Sequence, residues 1–228
     1  MEQEQNLGLH DTLSQTGLIG ITWAGVAVAL GFVAARAVIR LDKVGHLSSD
    51  DYLLFTAFLV FVVYGALQTV QIPSVYYVSR ISLGLESDPR AITAEGGLYL
   101  RYEFAIMGLF WTVLWLVKGS FLMLYFNLMN GLKIQRRVWW FVAAFTVLAY
   151  VGCWIASFFV CKPLSSYFQF GDCDVVHRST IAITYGTAAD IVTDIMSMFS
   201  LTMLVLDHTA DNHSYDPSIQ THSRTSHN

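Results

Sequence analysis

The chain has 228 residues, of which 54% are hydrophobic and only 13% are charged. Soluble domains carry roughly 25% charged residues, so this composition excludes an ordinary soluble globule, a disordered chain and a secreted disulfide scaffold. The formal net charge of −4 leaves no basic surplus for binding nucleic acid. The composition therefore predicts a polytopic membrane protein whose main partner is the lipid bilayer.

Five apolar segments are long enough to cross a hydrocarbon core of about 30 Å, which takes ~20 helical residues. The second and fourth spans carry no charge, whereas the third contains Lys118 and the fifth contains Asp190 and Asp194. This pattern predicts an all-α transmembrane helical bundle with about five spans. The predicted spans are residues 17–38, 52–72, 104–129, 138–160 and 179–206.

The flanking charges predict the orientation of these spans. Residues 1–16 contain acids and no Lys or Arg, which does not fit a cleaved signal peptide. Basic residues follow the first span, so the positive-inside rule places the N-terminus outside. The loop with Lys133, Arg136 and Arg137 contains no acid and is predicted to be cytoplasmic. The polar residues 207–228 predict a disordered cytoplasmic tail.

Residues 73–103 form the predicted outer loop after the second span. Pro73 predicts that the helix stops or kinks, since proline cannot donate a backbone hydrogen bond. Ser87-Asp88-Pro89 predicts a turn or a helix start, and Gly96-Gly97 predicts a second break. Between these signals the pattern leaves open a short interfacial helix over residues 75–85 or an unstructured loop.

Three charged residues lie deep within the predicted spans, where such groups are costly and are functional candidates. At 1.5 Å per residue, Lys118 and Asp194 lie about 21 and 22 Å from the outer ends of their spans. Asp190 is four residues before Asp194 and shares its helix face. We therefore expect a Lys118–Asp194 pair with a second carboxylate beside it. Its role is open between a structural ion pair, a receptor switch and a proton or ion relay.

Asp50-Asp51-Tyr52 opens the second span at its predicted inner end. Acids at a helix N-terminus cap free backbone N–H groups and favour the positive end of the helix dipole. Capping, with Arg40 or Lys43 as a neighbouring cation, is one interpretation. An inner-face switch or partner contact is the other.

The chain has three cysteines. Cys153 lies within a span and is expected to be an inert apolar residue. Cys161 ends the fourth span at the outer face and Cys173 follows in the outer loop, so we expect a disulfide between them. It would hold Tyr167 and Phe168 over the bundle as a lid. Two free thiols are the alternative.

Catalytic signatures such as a nucleophile elbow, a phosphate-binding glycine loop, HExxH or paired CxxC do not occur in the sequence. We therefore expect no enzymatic activity, no metal and no cofactor.

The order of several motifs resembles the fungal rhodopsin-like integral membrane proteins, a family that includes pathogenicity-type receptor candidates. The resemblance covers roughly residues 17–196 and rests on Arg36 and Arg40, Asp50-Asp51-Tyr52, Lys118, Tyr125-Phe126, the segment from Phe159 to Pro163, Cys173-Asp174, and Asp190 with Asp194. It implies seven spans, so five spans predict a truncated product. It implies no retinal here, because the last helix, where a chromophore lysine would be expected, is missing.

The resemblance implies a sensor of extracellular cues, most naturally in the plasma membrane. Its inner face would meet a cytoplasmic signalling protein through Arg36, Arg40, Lys43, Lys133, Arg136 and Arg137, although these cations would also serve as topological anchors alone. Two alternatives stay open. One is an ion or proton transporter built on Lys118, Asp190 and Asp194, and the other is a nonfunctional gene product.

Overall fold

The computed structural model describes residues 14–82, 84, 89–129, 133–161, 167–168 and 175–214. They form five helices: α1 (Gln15–Val44), α2 (Ser49–Ser82), α3 (Pro89–Leu128), α4 (Lys133–Phe158) and α5 (Val175–Ser214). No strand occurs among these residues. The predicted all-α bundle is confirmed.

Four of the helices are long and apolar enough to cross a membrane: Gln15–Val44, Ser49–Ile81, Thr93–Asn127 and Gln135–Phe158. Large apolar side chains on them, such as Phe32 and Leu148, point away from the protein interior. A surface of this kind suits hydrocarbon and would be unfavourable in water. Helix α5 is not among the four, so the fifth span stays a prediction.

A short turn joins α1 to α2 and sets the position of the charged residues around it. Gly45 ends α1 with φ 75°, and its N–H bonds the carbonyls of Arg40 and Leu41. Glycine adopts this left-handed conformation without steric cost. Because α2 begins only four residues later, at Ser49, the last turns of α1 lie beside the first turn of α2.

Helix α3 is the centre of the bundle. It packs most extensively on α2 and also contacts α4. It carries many of the buried apolar side chains, among them Leu100, Ile106, Trp111, Trp115 and Leu122. Helix α5 carries Gly186 where a Cβ atom would collide with the indole of Trp111. The missing side chain leaves room for the Trp111 indole, while the backbone of α5 packs mainly on α4.

The outer ends of α2 and α3 differ from the sequence prediction. Helix α2 does not stop at Pro73 but continues to Ser82. The prediction of a separate helix over residues 75–85 is therefore wrong for residues 75–82. Ile72 and Ser74, on either side of the proline, are buried. Packing of this segment offsets the hydrogen bond that the proline removes, a loss of about 3 kcal/mol in an isolated helix.

Helix α3 begins at Pro89, as the Ser87-Asp88-Pro89 signal predicted, and runs unbroken through Gly96-Gly97. The predicted break there is wrong. A Cβ atom on Gly97 would lie 3.2 Å from the Phe168 carbonyl oxygen, so this glycine permits a close backbone approach inside a helix. At the other end of the chain, α5 reaches Ser214, and residues 215–228 of the predicted tail lie outside the described residues.

Candidate functional site

Lys118 of α3 and three residues of α5 form a group that we call the mid-membrane cluster: Lys118, Asp190, Thr193 and Asp194. The Lys118 Nζ atom lies 2.7 Å from Asp194 Oδ1 and 2.8 Å from Asp190 Oδ1. It donates hydrogen bonds to the Asp190 carbonyl oxygen at 2.7 Å and to Thr193 Oγ1 at 2.8 Å. The structure thus brings together all three charged residues that the sequence placed deep within spans.

The charges of the mid-membrane cluster do not balance. One ammonium group faces two carboxylates, and it has three protons for four nearby oxygen atoms. Accordingly, Asp190 Oδ1 has no hydrogen-bond partner despite its short distance to Nζ. The side chain of Lys118 is 12% exposed and that of Asp190 25%, whereas Asp194 is 60% exposed. The excess negative charge therefore lies on the open side of α5.

The surroundings of Lys118 fix its position. Its Nζ lies 5.2 Å from the centre of the Trp115 ring, one turn earlier on α3. A cation over an indole face is attracted by the ring quadrupole. Thr193 is fully buried, and its hydroxyl also bonds the carbonyls of its own helix. Lys118 is therefore held from both helices.

A second group, the inner-face cluster, consists of Arg36, Arg40, Asp50 and Asp51. Arg36 contacts Asp50 Oδ2 at 2.5 Å and Asp51 Oδ1 at 2.9 Å, and Arg40 contacts the same Asp50 oxygen at 2.6 Å. The Asp50 and Asp51 side chains are 0% and 2% exposed, against 27% and 22% for the two arginines. Two cations and two anions make this cluster electrically neutral.

The inner-face cluster also caps α2 and reaches α3. The Ser48 N–H donates to Asp51 Oδ2 at 3.0 Å, half of a capping box at the start of α2. Ser120 of α3 donates to the Asp50 carbonyl oxygen at 2.9 Å. Asp51 therefore combines capping with ion pairing, whereas the Asp50 side chain only forms ion pairs. Sequence reasoning named Arg40 and Lys43 as neighbouring cations, whereas Arg36 and Arg40 make the contacts.

The remaining predicted inner-face residues lie apart from these clusters. Tyr52 is exposed. The residues of the predicted inner basic loop lie in the first turns of α4, where the Arg136 guanidinium packs on the Phe126 ring at 5.0 Å and Arg137 is exposed. Lys133 is the first residue of α4, and its side chain is not described.

At the start of α4, a crevice of about 420 Å³ opens between α4, α5 and the end of α3. Met129, Gln135, Val138, Ser200 and Met203 are among its lining residues. The crevice is thus largely apolar, and Arg136 and Arg137 lie in sequence between two of its lining residues, Gln135 and Val138.

At the outer end, Tyr167 and Phe168 pack on Phe104 of α3, with ring centres 5.4 and 5.9 Å apart. Burial raises the pKa of the Tyr167 phenol from 10.0 to about 12, and the nearby Glu103 and Tyr99 add to the shift. Sequence reasoning missed one contact here, the 2.9 Å hydrogen bond from Gln71 to Glu103. The sequence carried a signal for this contact, because Gln71 is an amide side chain inside an apolar span and Glu103 is an acid just before the next span.

The cysteines are only partly described. Cys161 is disulfide-bonded, and Cys153 is free and buried. Cys173 lies outside the described residues, so its pairing with Cys161 stays a prediction. Thiol labelling of the denatured protein without reductant should modify one cysteine, and labelling of three would contradict the pairing.

Among the described residues, no group of three or more His, Cys, Asp or Glu side chains could hold a metal ion. Four apolar helices of spanning length, with ion pairs between α1 and α2 and between α3 and α5, define a multi-pass helical membrane protein. Residues 35–210 match the fungal rhodopsin domain family, which is more than half of the chain. The chain belongs to that family, as the resemblance predicted. No curated protein and no solved structure matches it.

Proposed function

We propose that this protein is a receptor-like sensor of extracellular cues in the plasma membrane. The observation that supports this proposal is the position of α3, which contacts two other helices through residues that are two positions apart. Lys118 binds α5 through the mid-membrane cluster, and Ser120 binds the start of α2 at the inner-face cluster. A movement of α3 would therefore change both contacts together.

The outer end of α3 is where a cue would act. Tyr167 and Phe168 rest on Phe104 there, and Phe168 also approaches Gly97 closely. A ligand that displaced these rings would change the packing of α3 without entering the membrane. A ligand shifts a conformational equilibrium only by its differential affinity for the two states, and a repacked aromatic cluster provides such a difference.

The inner end is where a cytoplasmic signalling protein would bind. The apolar crevice at the start of α4, next to Arg136 and Arg137 in sequence, suits an apolar segment with acidic neighbours. Repartnering of the charged clusters would change the spacing of the helix ends around it, as in switches that reorganise buried ion pairs. The signal would pass by contact, so the proposal includes no catalysed reaction.

The test replaces the gene in its host with wild type, Lys118→Met or Thr184→Val. The responses of these strains to a panel of external cues are then compared with those of a deletion strain. Thr184 is an exposed residue of α5 whose hydroxyl bonds its own helix, which makes Thr184→Val the matched control. We expect deletion and Lys118→Met to lose the same response at equal surface abundance, and Thr184→Val to keep it.

A full response from the Lys118→Met strain would refute the proposed role of the mid-membrane cluster. A deletion strain that responds normally to every cue would refute sensing and favour a nonfunctional product.

The second candidate function is proton or cation transport. It is favoured by one observation, the surplus carboxylate beside Lys118, with Asp194 60% exposed. Ionisable residues within membrane spans mark proton and ion pathways in pumps and transporters. Purified protein in liposomes should then carry a proton or sodium flux that Asp194→Asn abolishes. A flux no larger than that of empty liposomes would refute transport.

A further inference from the structure

A cavity of about 310 Å³ lies between α2, α3 and α4, and we call it the membrane cavity. Its volume is at the lower end of the range of about 300–1,000 Å³ that is typical of small-molecule sites. Its lining residues belong to these three consecutive helices, and none of them belongs to α5. Met123 and Val147 line the cavity and are also exposed. The membrane cavity therefore opens sideways, toward the hydrocarbon of the bilayer.

Trp115, which lines the membrane cavity, has an unused hydrogen-bond donor. The residue is 6% exposed, and its indole Nε1 has no hydrogen-bond partner. Lys118 lies over the face of the ring, 5.2 Å from its centre, whereas the N–H lies in the ring plane and is not used by that contact. Buried indole N–H groups usually find a partner. In the part of the chain that the structure describes, the other buried side-chain atoms without a partner are carboxylate oxygens of the two charged clusters.

A hydrogen-bond acceptor lies near this donor, on Tyr150. Thr112 donates its single hydroxyl proton to the Gly108 carbonyl oxygen at 2.7 Å. In the 3.2 Å contact between the Thr112 and Tyr150 hydroxyls, the proton therefore comes from Tyr150. The phenol oxygen then keeps its capacity to accept. The ring centres of Tyr150 and Trp115 are 6.1 Å apart, and both residues line the membrane cavity.

The depth of these polar groups restricts what could bind them. At 1.5 Å per residue, Trp115 lies about 18 Å from the Asn127 end of its apolar segment, and Tyr150 lies about 12 Å from the Phe158 end of its own. A charged group is strongly unfavourable at that depth. A water molecule would satisfy the donor but would leave the apolar walls unfilled. An uncharged hydrocarbon with one hydroxyl group meets both requirements, because a hydroxyl can accept from Trp115 and donate to Tyr150.

We propose that the membrane cavity binds a membrane-soluble alcohol, an uncharged hydrocarbon whose single hydroxyl group pairs with Trp115 and Tyr150. Sterols and long-chain aliphatic alcohols share this chemistry. Either would enter from the bilayer on the side of Met123 and Val147. The proposal is independent of sensing and of transport, because it uses neither the outer aromatic rings nor the acids of the mid-membrane cluster.

The test uses the full chain in phosphatidylcholine vesicles and photoreactive, alkyne-tagged probes. One pair of probes is a sterol with its hydroxyl group and the same sterol without it, and the other pair is a long-chain alcohol and the matching alkane. Labelled positions are mapped by mass spectrometry. We expect at least one alcohol to label the walls of the membrane cavity with half-saturation at about tenfold lower concentration than its hydroxyl-free counterpart, within the range of polar contacts in membranes. The alcohol that does so identifies the class of ligand.

Three variants assign the labelling to the membrane cavity. Trp115→Phe removes the N–H group but keeps an aromatic ring, and it should reduce the alcohol to the level of its hydroxyl-free counterpart. Trp140→Phe makes the same change at an exposed tryptophan outside the cavity and should keep the preference. Gly119→Leu should abolish labelling of the cavity by all probes. A Cβ atom on Gly119 lies at an ordinary 3.9 Å from Leu53, another lining residue, so the added side chain has room to fill the cavity.

Equal half-saturation of the alcohols and their hydroxyl-free counterparts on the wild-type chain would overturn the proposal without any variant. Thermal unfolding shows which variants are folded. A preference for the alcohol that survives in folded Trp115→Phe would also overturn the proposal. So would saturable labelling that persists in folded Gly119→Leu, because the probe would then bind outside the membrane cavity.

Discussion

Asp50 is the residue whose removal should destabilise the inner half of the bundle most. Its side chain is 0% exposed, and one carboxylate oxygen accepts contacts from Arg36 at 2.5 Å and Arg40 at 2.6 Å. Asp50→Asn keeps the volume of the side chain but removes its charge. Both guanidinium groups would then share the single remaining anion, Asp51, and the neutrality of the inner-face cluster would be lost.

The expected loss of unfolding free energy follows from the burial of Asp50 and of the two arginines that contact it. Removing one member of a buried ion pair costs about 3–5 kcal/mol, because the remaining charge loses its compensation. Arg36 and Arg40 keep 27% and 22% exposure, so both can turn partly toward water. We therefore expect the low end, about 3 kcal/mol. On the scale of soluble domains of this size, that is roughly a 6–12 °C drop in Tm.

The assay is thermal unfolding of purified protein in one detergent, compared among wild type, Asp50→Asn, Arg36→Gln and the double variant. The double variant should be clearly less destabilised than the sum of the two single losses, since they remove one shared interaction. Tyr52→Phe, which alters an exposed neighbour, should change Tm by less than a degree or two on the same scale. Strict additivity, or an Asp50→Asn protein as stable as wild type, would refute the reasoning.

Three further predictions concern other parts of the bundle. Lys118→Met should cost about 3–5 kcal/mol because it leaves two unpaired carboxylates, whereas Asp194→Asn, which leaves Asp190 paired with Lys118, should cost about 1 kcal/mol or less, the range of single polar contacts between membrane helices. Equal losses in thermal unfolding would contradict this ranking. Gly186→Ala should destabilise by about 1–3 kcal/mol, since its methyl group would collide with the buried Trp111 indole, and unchanged unfolding would contradict the close packing there. The raised pKa of Tyr167, about 12 against 10.0, predicts stability that is constant below pH 10 and falls between pH 10 and 12. This fall should be smaller in Tyr167→Phe, and identical alkaline profiles would be the contrary result.

The bundle could be predicted from the sequence because its main signal is local. An uncharged apolar segment of membrane length has few alternatives to a spanning helix. The helix ends were harder to predict, and Pro73 and Gly97 show why. Both residues signal a break by their own conformational preferences, yet each lies in a helix whose packing partner compensates: buried neighbours at Pro73, and the close-lying Phe168 backbone at Gly97. Tertiary contacts of this kind leave no mark on the local sequence.

The charged groups were predictable to a similar degree. Depth along a helix follows from the rise per residue, which is why Lys118 and Asp194 could be placed at one level before their 2.7 Å contact was seen. The rotation of each helix does not follow from depth. The contacts of Lys118 with the Thr193 hydroxyl and the Asp190 carbonyl depend on that rotation. So does the pairing of the inner acids with Arg36 and not with Lys43.

The two charged clusters differ in one respect that separates their roles. The inner-face cluster is neutral, and its carboxylates are buried between α1 and α2. Its charges are balanced within the cluster, so it is suited to holding helix ends at a fixed spacing. The mid-membrane cluster has one negative charge too many and presents it on Asp194, the most exposed of its three ionisable side chains. Its free energy therefore depends on what lies next to α5, whether a proton or a cation. Because Lys118 and Ser120 belong to the same helix, any such neighbour would also act on the start of α2.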